Sequence, residues 1–147
     1  MVQTDSTLVD FANEEGVPYI DWFNRSYYGA LSLAAAGPGY VAPPLDGIWA
    51  TAPYLHNGSV PTIEMVLESS KRPRFWQHEV SDASNENSYN KNGLGWSHSV
   101  LSSGKNSVAD VRIYDTTLPG YSNAGHQFGD HLSSDERSAV IEYLKSL

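Results

Sequence analysis

The chain contains no cysteine. This absence excludes disulfide bonds, thiolate metal sites and a thiol nucleophile. It leaves the cellular compartment open, because a protein without thiols is equally compatible with reducing and oxidising surroundings.

Basic residues are also scarce, since 9 Lys and Arg stand against 17 Asp and Glu, for a formal net charge of −8. An acidic protein repels phosphate backbones, so we expect no nucleic-acid partner. No apolar run approaches the roughly 20 residues of a membrane-spanning helix. The first ten residues lack the basic and apolar regions of a signal peptide. We therefore expect either a cytoplasmic protein or a processed segment of a longer exported chain.

The residues that are present favour a folded, loop-rich protein. A length of 147 residues suits a single domain, and 40% hydrophobic residues with 4 Trp favour a packed core. The 12 Gly and 8 Pro predict many loops and few helices.

Several segments carry helical signals. Asp5 or Ser6 could cap a helix up to about Glu15, with Gly16 ending it. Residues 27–36 are predicted as a short helix, or residues 25–40 as an extended arm. Residues 61–70 are predicted as a helix with an apolar stripe.

The C-terminal helix has the clearest local signal. Ser133 and Glu136 form the pattern of a capping box. The predicted buried face comprises Val140, Tyr143, Leu144 and Leu147, widened by Ala139. Residues 108–114 alternate like a strand, for which residues 94–101 are the nearest candidate partner.

Residues 43–62 have little regular periodicity, yet they concentrate Trp49, Tyr54 and His56 among turn-forming residues. We interpret them as an ordered loop. By simple chemistry, Trp49 and Tyr54 are core aromatic residues whose polar groups need partners. His56 is either a residue that hydrogen-bonds the turn or a ligand.

His126 lies in a second glycine-rich segment, between Gly125 and Gly129. Glycines let a backbone approach a flat ligand closely, so His126 is a candidate iron ligand or a residue that hydrogen-bonds its loop. The five histidines form no His-Glu-x-x-His motif, and His126 with His131 is a weak zinc signal. No Gly-x-Ser-x-Gly hydrolase motif is present.

Two blocks resemble the C-terminal haem domain of the dihaem cytochrome c peroxidase superfamily. The first covers residues 44–75 and includes the run Thr-Ala-Pro-Tyr-Leu-His-Asn-Gly-Ser at 51–59. The second covers residues 115–147 and includes Ser-Asn-Ala-Gly-His at 122–126. The second motif and the insert between the blocks are most similar to the branch of dihaem rubber oxygenases.

The resemblance implies a mainly α, loop-rich, cytochrome-c-like fold that lacks its haem-attachment segment, with a short β-hairpin at 94–114. Residues 1–147 would form a single, partial domain. It would carry an N-terminal arm at 1–40 and an insert loop at 81–110.

The resemblance also implies a function: the chain would close the pocket of an electron-transfer haem in a dihaem c-type oxidoreductase. Ser70 stands near the position of the usual methionine ligand and cannot serve. His126 is then the expected axial ligand of the haem iron. His56, Trp49 and Tyr54 would line the cofactor pocket.

Related peroxidases bind calcium through backbone carbonyls, which Thr51 and Pro53 would supply here. The haem c itself would be attached to a Cys-x-x-Cys-His motif on another segment or subunit. That haem-bearing remainder and an electron-transfer protein are the expected partners. We expect a periplasmic or secreted location, and no peroxidase- or dioxygenase-like activity from this chain alone.

Two alternatives remain. The 9 Tyr and 4 Trp could form a stacking surface in a non-redox module that binds sugar or polymer. Alternatively, the chain could bind haem non-covalently through His126 together with His56 or His98.

Overall fold

The computed structural model describes residues 5–37, 39–79, 88–107 and 110–147. The chain divides into two compact units, residues 6–43 and residues 44–147 together with Asp5. In the described part of the chain, no helix is both long and apolar enough to cross a membrane.

The unit of residues 6–43 contains helices α1 (Thr7–Glu14) and α2 (Val17–Arg25) and a 3-10 helix (Tyr27–Ala30). Helix α1 begins at the predicted place, although the Ser6 hydroxyl donates to Asp10 at 2.7 Å instead of capping the backbone. The helix predicted over 27–36 stops early. The Asn24 amide bonds to both the N–H and the carbonyl of Ala34, each at 2.8 Å, which holds that residue outside a helix.

The unit of residues 44–147 is built on a three-stranded antiparallel sheet. Strand β1 (Phe75–His78) lies in the middle, between β4 (His98–Val100) and β5 (Ile113–Asp115). Trp76 faces Val100 on one side and Tyr114 on the other. Strand β4, within the candidate partner 94–101, and strand β5, which overlaps the predicted strand at residues 113–114, thus belong to one sheet, but β1 separates them and they form no hairpin with each other.

A separate hairpin joins β2 (Tyr89–Asn90) to β3 (Gly95–Trp96). The Asn90 side chain accepts the N–H groups of Asn92 at 3.0 Å and Gly93 at 2.9 Å, which closes the turn. Residues 81–87 and 108–109 of the predicted insert, and residues 1–4 and 38 of the predicted arm, lie outside the described residues.

The prediction of a mainly α fold is therefore wrong. The described residues form four α-helices and five short strands in two antiparallel sheets, joined by long loops. The strands have two to four residues each, too short for alternation to show in the sequence. The loop-rich part of the prediction agrees with the structure.

Helix α3 (Ile63–Leu67) is shorter than the predicted 61–70, and a 3-10 turn follows at Ser69–Lys71. It begins after Thr62, whose hydroxyl accepts the Met65 N–H at 3.3 Å.

Helix α4 (Ser134–Leu144) has the predicted capping box between Ser133 and Glu136. Its buried residues are Ile141 and Leu144, whereas Tyr143 is 63% exposed, so the predicted face was rotated.

The core of this unit surrounds the consecutive residues 59–63, all of them buried. Val60 is fully buried and Thr62 is 1% exposed. Around them pack the side chains of Tyr54, Leu94, Ile141 and Leu144.

Candidate functional site

Loop A, residues 54–60, presents His56. Two backbone hydrogen bonds between Tyr54 and Val60, at 2.7 and 3.3 Å, close its base. Leu55 and Gly58 have positive φ angles of 66° and 67°. Their left-handed conformations reverse the chain sharply, and glycine accepts such a conformation at little cost. The sequence prediction of an ordered, non-repetitive loop is confirmed.

Loop B, residues 120–126, presents His126. Gly120, Gly125 and His126 have positive φ angles of 83°, 75° and 50°. Asn57 of loop A donates from its amide to the carbonyls of Gly120 at 3.2 Å and Ser122 at 2.8 Å. These bonds attach the two loops to each other.

Two further side-chain donors attach loop B to the segment that precedes β1. Asn123 of loop B donates its amide to the Pro73 carbonyl at 2.9 Å. The Arg72 guanidinium donates to carbonyls of α3 and of loop B, including that of His126 at 3.0 Å. The path of loop B is thus fixed by side-chain donors that bond to backbone carbonyls.

As a result, the imidazole rings of His56 and His126 lie with their centres 6.2 Å apart and their planes inclined by 43°. Two imidazoles on opposite sides of one metal ion, each with a metal–nitrogen distance of about 2 Å, would have ring centres roughly 6 Å apart. The observed separation falls in that range.

The surroundings of both rings favour the neutral form, which can bind a metal. Burial lowers the pKa of His56, although the negative charge of Asp5 opposes the shift. Burial also lowers the pKa of His126, and the nearby His56 and Arg72 charges lower it further. A neutral imidazole keeps a lone pair for a metal ion at neutral pH.

The backbone at this site is strained. A left-handed conformation costs roughly 1–2 kcal/mol for a residue other than glycine, and both Leu55 and His126 adopt it. Strain of this kind persists where the surroundings impose it, and it concentrates at functional sites. Leu94, a core residue outside both loops, has a positive φ of 50° as well, so the strain agrees with loops A and B as the candidate site but does not single them out.

The other predicted pocket residues lie elsewhere in the same unit. Tyr54 is 6% exposed, packs in the core and donates its hydroxyl to the Ile48 carbonyl at 3.1 Å. Trp49 is 44% exposed and donates its indole N–H to the Leu147 carbonyl at 3.3 Å. Neither residue is brought into the His56–His126 pair, and their role beside a cofactor stays a prediction.

The predicted calcium site receives no support. The Thr51 hydroxyl donates to the Ile48 carbonyl at 3.0 Å, and Pro53 follows a cis peptide bond. Over the described ranges, no group of three or more His, Cys, Asp or Glu side chains could hold a metal ion. The weak sequence signal for zinc at His126 and His131 is therefore not matched by a metal-binding cluster among the described residues.

Beneath loop A lies a cluster of aromatic rings. Trp76 stacks on Tyr114, and His78 stacks on Trp96 with ring centres 4.1 Å apart. His98 contacts the Trp76 ring edge-to-face, with centres 6.2 Å apart. These rings pack their faces on one another. Trp22, Tyr27 and Tyr28 are exposed in the other unit, so the alternative of a stacking surface for sugar stays a prediction.

Sequence reasoning missed Arg72, Asn57 and Asn123 as residues that build the site. A signal did exist, because all three lie within the two blocks that carry the family resemblance. Their partners are backbone carbonyls, which every residue has, so the sequence alone could not reveal the pairing.

Part of this chain matches a known protein family. Residues 39–77 match the family described as RoxA-like, cytochrome c-like. The match contains loop A and Arg72 and indicates a relation to cytochrome c-like domains. It fits a haem-related electron-transfer module in general.

Two proteins of Sinorhizobium fredii are similar to this chain. The uncharacterized protein y4iJ is 42% identical over 119 residues, which cover 74% of this chain and 18% of that protein. The uncharacterized protein y4iM is 35% identical over 126 residues, which cover 74% of this chain and 27% of that protein. The chain thus spans only a small part of the curated relatives it matches.

The residues present fit one part of a haem site. Neutral imidazoles on rigid loops are suitable axial ligands for haem iron. Covalent attachment through thioethers needs cysteine, and the chain has none. The chain can therefore contribute ligands and pocket walls to a haem, but not the covalent attachment.

Proposed function

We propose that this chain closes the pocket of an electron-transfer haem, with His126 as an axial ligand of the iron. The observation that carries the proposal is the position of the His126 imidazole on a strained loop, fixed by hydrogen bonds beside His56. The cytochrome c-like match at residues 39–77 supports it.

The whole assembly would be a dihaem c-type oxidoreductase. Its haem would be attached to a Cys-x-x-Cys-His motif on another segment or subunit. When bound, the haem would supply one-electron transfer. This chain would provide the ligand nitrogen, hold it in place and exclude water from that side of the iron. An electron-transfer protein would be the redox partner, and the location would be periplasmic or secreted.

A second candidate is a haem bound non-covalently between His126 and His56. The separation of 6.2 Å between the two ring centres favours this alternative. An iron with two histidine ligands has no open position, so it would relay electrons without binding oxygen or peroxide.

An absorption spectrum tests both candidates. The chain is isolated from its native source with any associated polypeptides, and the Soret band is recorded before and after acid–acetone extraction. A band that survives extraction indicates a haem held covalently by a partner. An extractable band indicates non-covalent haem. The absence of any band would contradict both candidates.

Variants then identify the ligands. His126→Ala should convert a low-spin spectrum to high-spin in either case. His56→Ala should do so only if His56 is the second ligand. His131→Ala replaces an exposed histidine and should leave the spectrum unchanged.

A further inference from the structure

Arg72 is unusual in that every N–H of its guanidinium group is used. Nε donates to the Met65 carbonyl at 2.9 Å, and one terminal nitrogen donates to Val66 at 3.0 Å and to His126 at 3.0 Å. The other terminal nitrogen donates to Asn123 at 2.9 Å and Gly125 at 2.6 Å. Five donors thus meet five backbone carbonyls.

We propose that Arg72 is the positioning residue of the His126 site: it fixes the left-handed backbone of loop B against the end of α3 and so directs the His126 imidazole. The proposal adds a residue to the proposed haem site, and the functional importance of Arg72 rests on that proposed function. The positioning itself concerns only residues of this chain.

The five acceptors explain why an arginine is needed. Helix α3 has only five residues, so its last carbonyls, including those of Met65 and Val66, need hydrogen-bond donors from outside a regular helix. The carbonyls of Asn123, Gly125 and His126 belong to a loop without regular structure. A planar group with five donors in fixed directions can bond both sets at once. Lysine has three donors on a flexible stem and cannot reproduce this geometry.

The Arg72 hydrogen bonds also stabilise the strained backbone of loop B. Gly125 and His126 are consecutive left-handed residues, and Arg72 bonds the carbonyl of each. Without these bonds His126 would relax toward a right-handed or extended conformation, because a left-handed backbone is strained for a residue other than glycine. The imidazole would then leave its position opposite His56.

The charge of Arg72 adds a second effect. Its guanidinium is half-buried and bonds to neutral carbonyls, with Asp130 as the acidic group whose charge acts on it. Since all of its N–H groups already donate hydrogen bonds to carbonyls, Arg72 has none left to bind a haem propionate. A positive charge in this position favours the reduced state of a nearby iron, so it should raise the reduction potential of a bound haem.

Nuclear magnetic resonance of the isolated chain tests the positioning without any cofactor. In the wild type, the Arg72 N–H protons should exchange with solvent at least about tenfold more slowly than those of Arg74, which is exposed and whose guanidinium lies over the Phe75 ring. Fast exchange of the Arg72 protons would overturn the proposal, even if every Arg72 variant failed to fold.

Arg72→Lys and Arg72→Gln test the consequence for His126. Both variants should lose the carbon chemical shifts typical of left-handed Gly125 and His126, and the Overhauser contact between the two imidazoles. Arg74→Lys and Arg74→Gln should keep both. A folded Arg72→Lys protein that retains both signals would refute the positioning role.

Iron(III) protoporphyrin IX serves as the probe for the link to haem. Wild type and Arg74→Lys should give a low-spin spectrum, and Arg72→Lys should lose most of it. If the wild type binds no porphyrin, the non-covalent candidate fails while the resonance test of Arg72 still stands.

In any porphyrin complex that forms, Arg72→Gln should have a lower reduction potential than Arg72→Lys. Equal reduction potentials in these two variants would contradict the role of the charge. Reduction potentials and spectra like those of the wild type in both variants would contradict the proposal as a whole.

Discussion

The indole ring of Trp76 lies parallel to the phenol ring of Tyr114, with ring centres 5.1 Å apart and 9° between the planes. The pair joins β1 to β5 and supports loop A from below. Trp76 donates its N–H to the Ser59 carbonyl at 3.1 Å, and Tyr114 donates its hydroxyl to the Asn57 carbonyl. The sheet therefore holds the backbone on both sides of Gly58.

Trp76→Phe should destabilise the unit of residues 44–147. The change leaves the buried Ser59 carbonyl without its donor and opens a cavity, so we expect a loss of about 2–4 kcal/mol in the free energy of unfolding. Urea unfolding monitored by circular dichroism measures it. Trp22→Phe, at a position 67% exposed in the other unit, is the control and should change stability by less than about 0.5 kcal/mol. Equal effects of the two changes would contradict this account.

Asn57→Asp should loosen loop B without changing side-chain size. The aspartate has no amide hydrogens, so the bonds to Gly120 and Ser122 are lost and a negative charge faces two carbonyls. We expect a loss of about 1–3 kcal/mol in stability, with faster hydrogen exchange in residues 120–126. Gln127→Glu makes the same chemical change at an exposed neighbouring position and should have little effect.

Ser133→Ala should weaken helix α4. It removes the hydroxyl that accepts the Glu136 N–H at 3.3 Å, and capping serines contribute about 1 kcal/mol. Ser138→Ala lies in the middle of the same helix, where alanine is the better helix former, and it should not destabilise. Thermal unfolding of both variants decides the matter: a Ser138→Ala loss as large as that of Ser133→Ala would rule out the capping explanation.

Stability should fall as the pH is lowered from about 7.5 to about 5. The pKa values of His56 and His126 are lowered in the folded protein from the ordinary 6.5. In the window between the lowered values and 6.5, the unfolded state binds more protons, so acid favours unfolding there. Above 6.5 both states are neutral and the penalty vanishes.

The urea midpoint of wild type should therefore drop more over this range than that of the His56→Gln, His126→Gln double variant. The pKa of Glu136 is lowered from 4.5, so the loss of its capping bonds falls at lower pH and does not interfere. A double variant with the same pH dependence as wild type would show that these histidines do not carry the effect.

Local signals predicted local structure well. The capping box of Ser133 and Glu136 marked the start of α4, because both partners lie within one helical turn. The buried face was less predictable. Ile141 packs inward because of the elements opposite it, and Tyr143 projects outward although both are apolar.

Long-range pairings were not predictable. Strand β1 has four residues, and its partners β4 and β5 lie far along the chain. The approach of His56 to His126 likewise depends on bonds from Asn57 and Arg72 to backbone carbonyls. Sequence reasoning could therefore nominate each histidine separately, but not their distance.

The buried run of residues 59–63 has a consequence for how the protein opens. Its backbone bonds to two different segments: Val60 pairs with Tyr54 on one side, and on the other Ile63 donates to Leu94 at 2.8 Å while Trp96 of the same stretch donates to Pro61 at 3.0 Å. The run is therefore held from both sides by backbone bonds. The amide hydrogen of Val60 should therefore exchange with solvent only when the entire unit unfolds. The exchange rate of this one amide would then report on global unfolding of the unit.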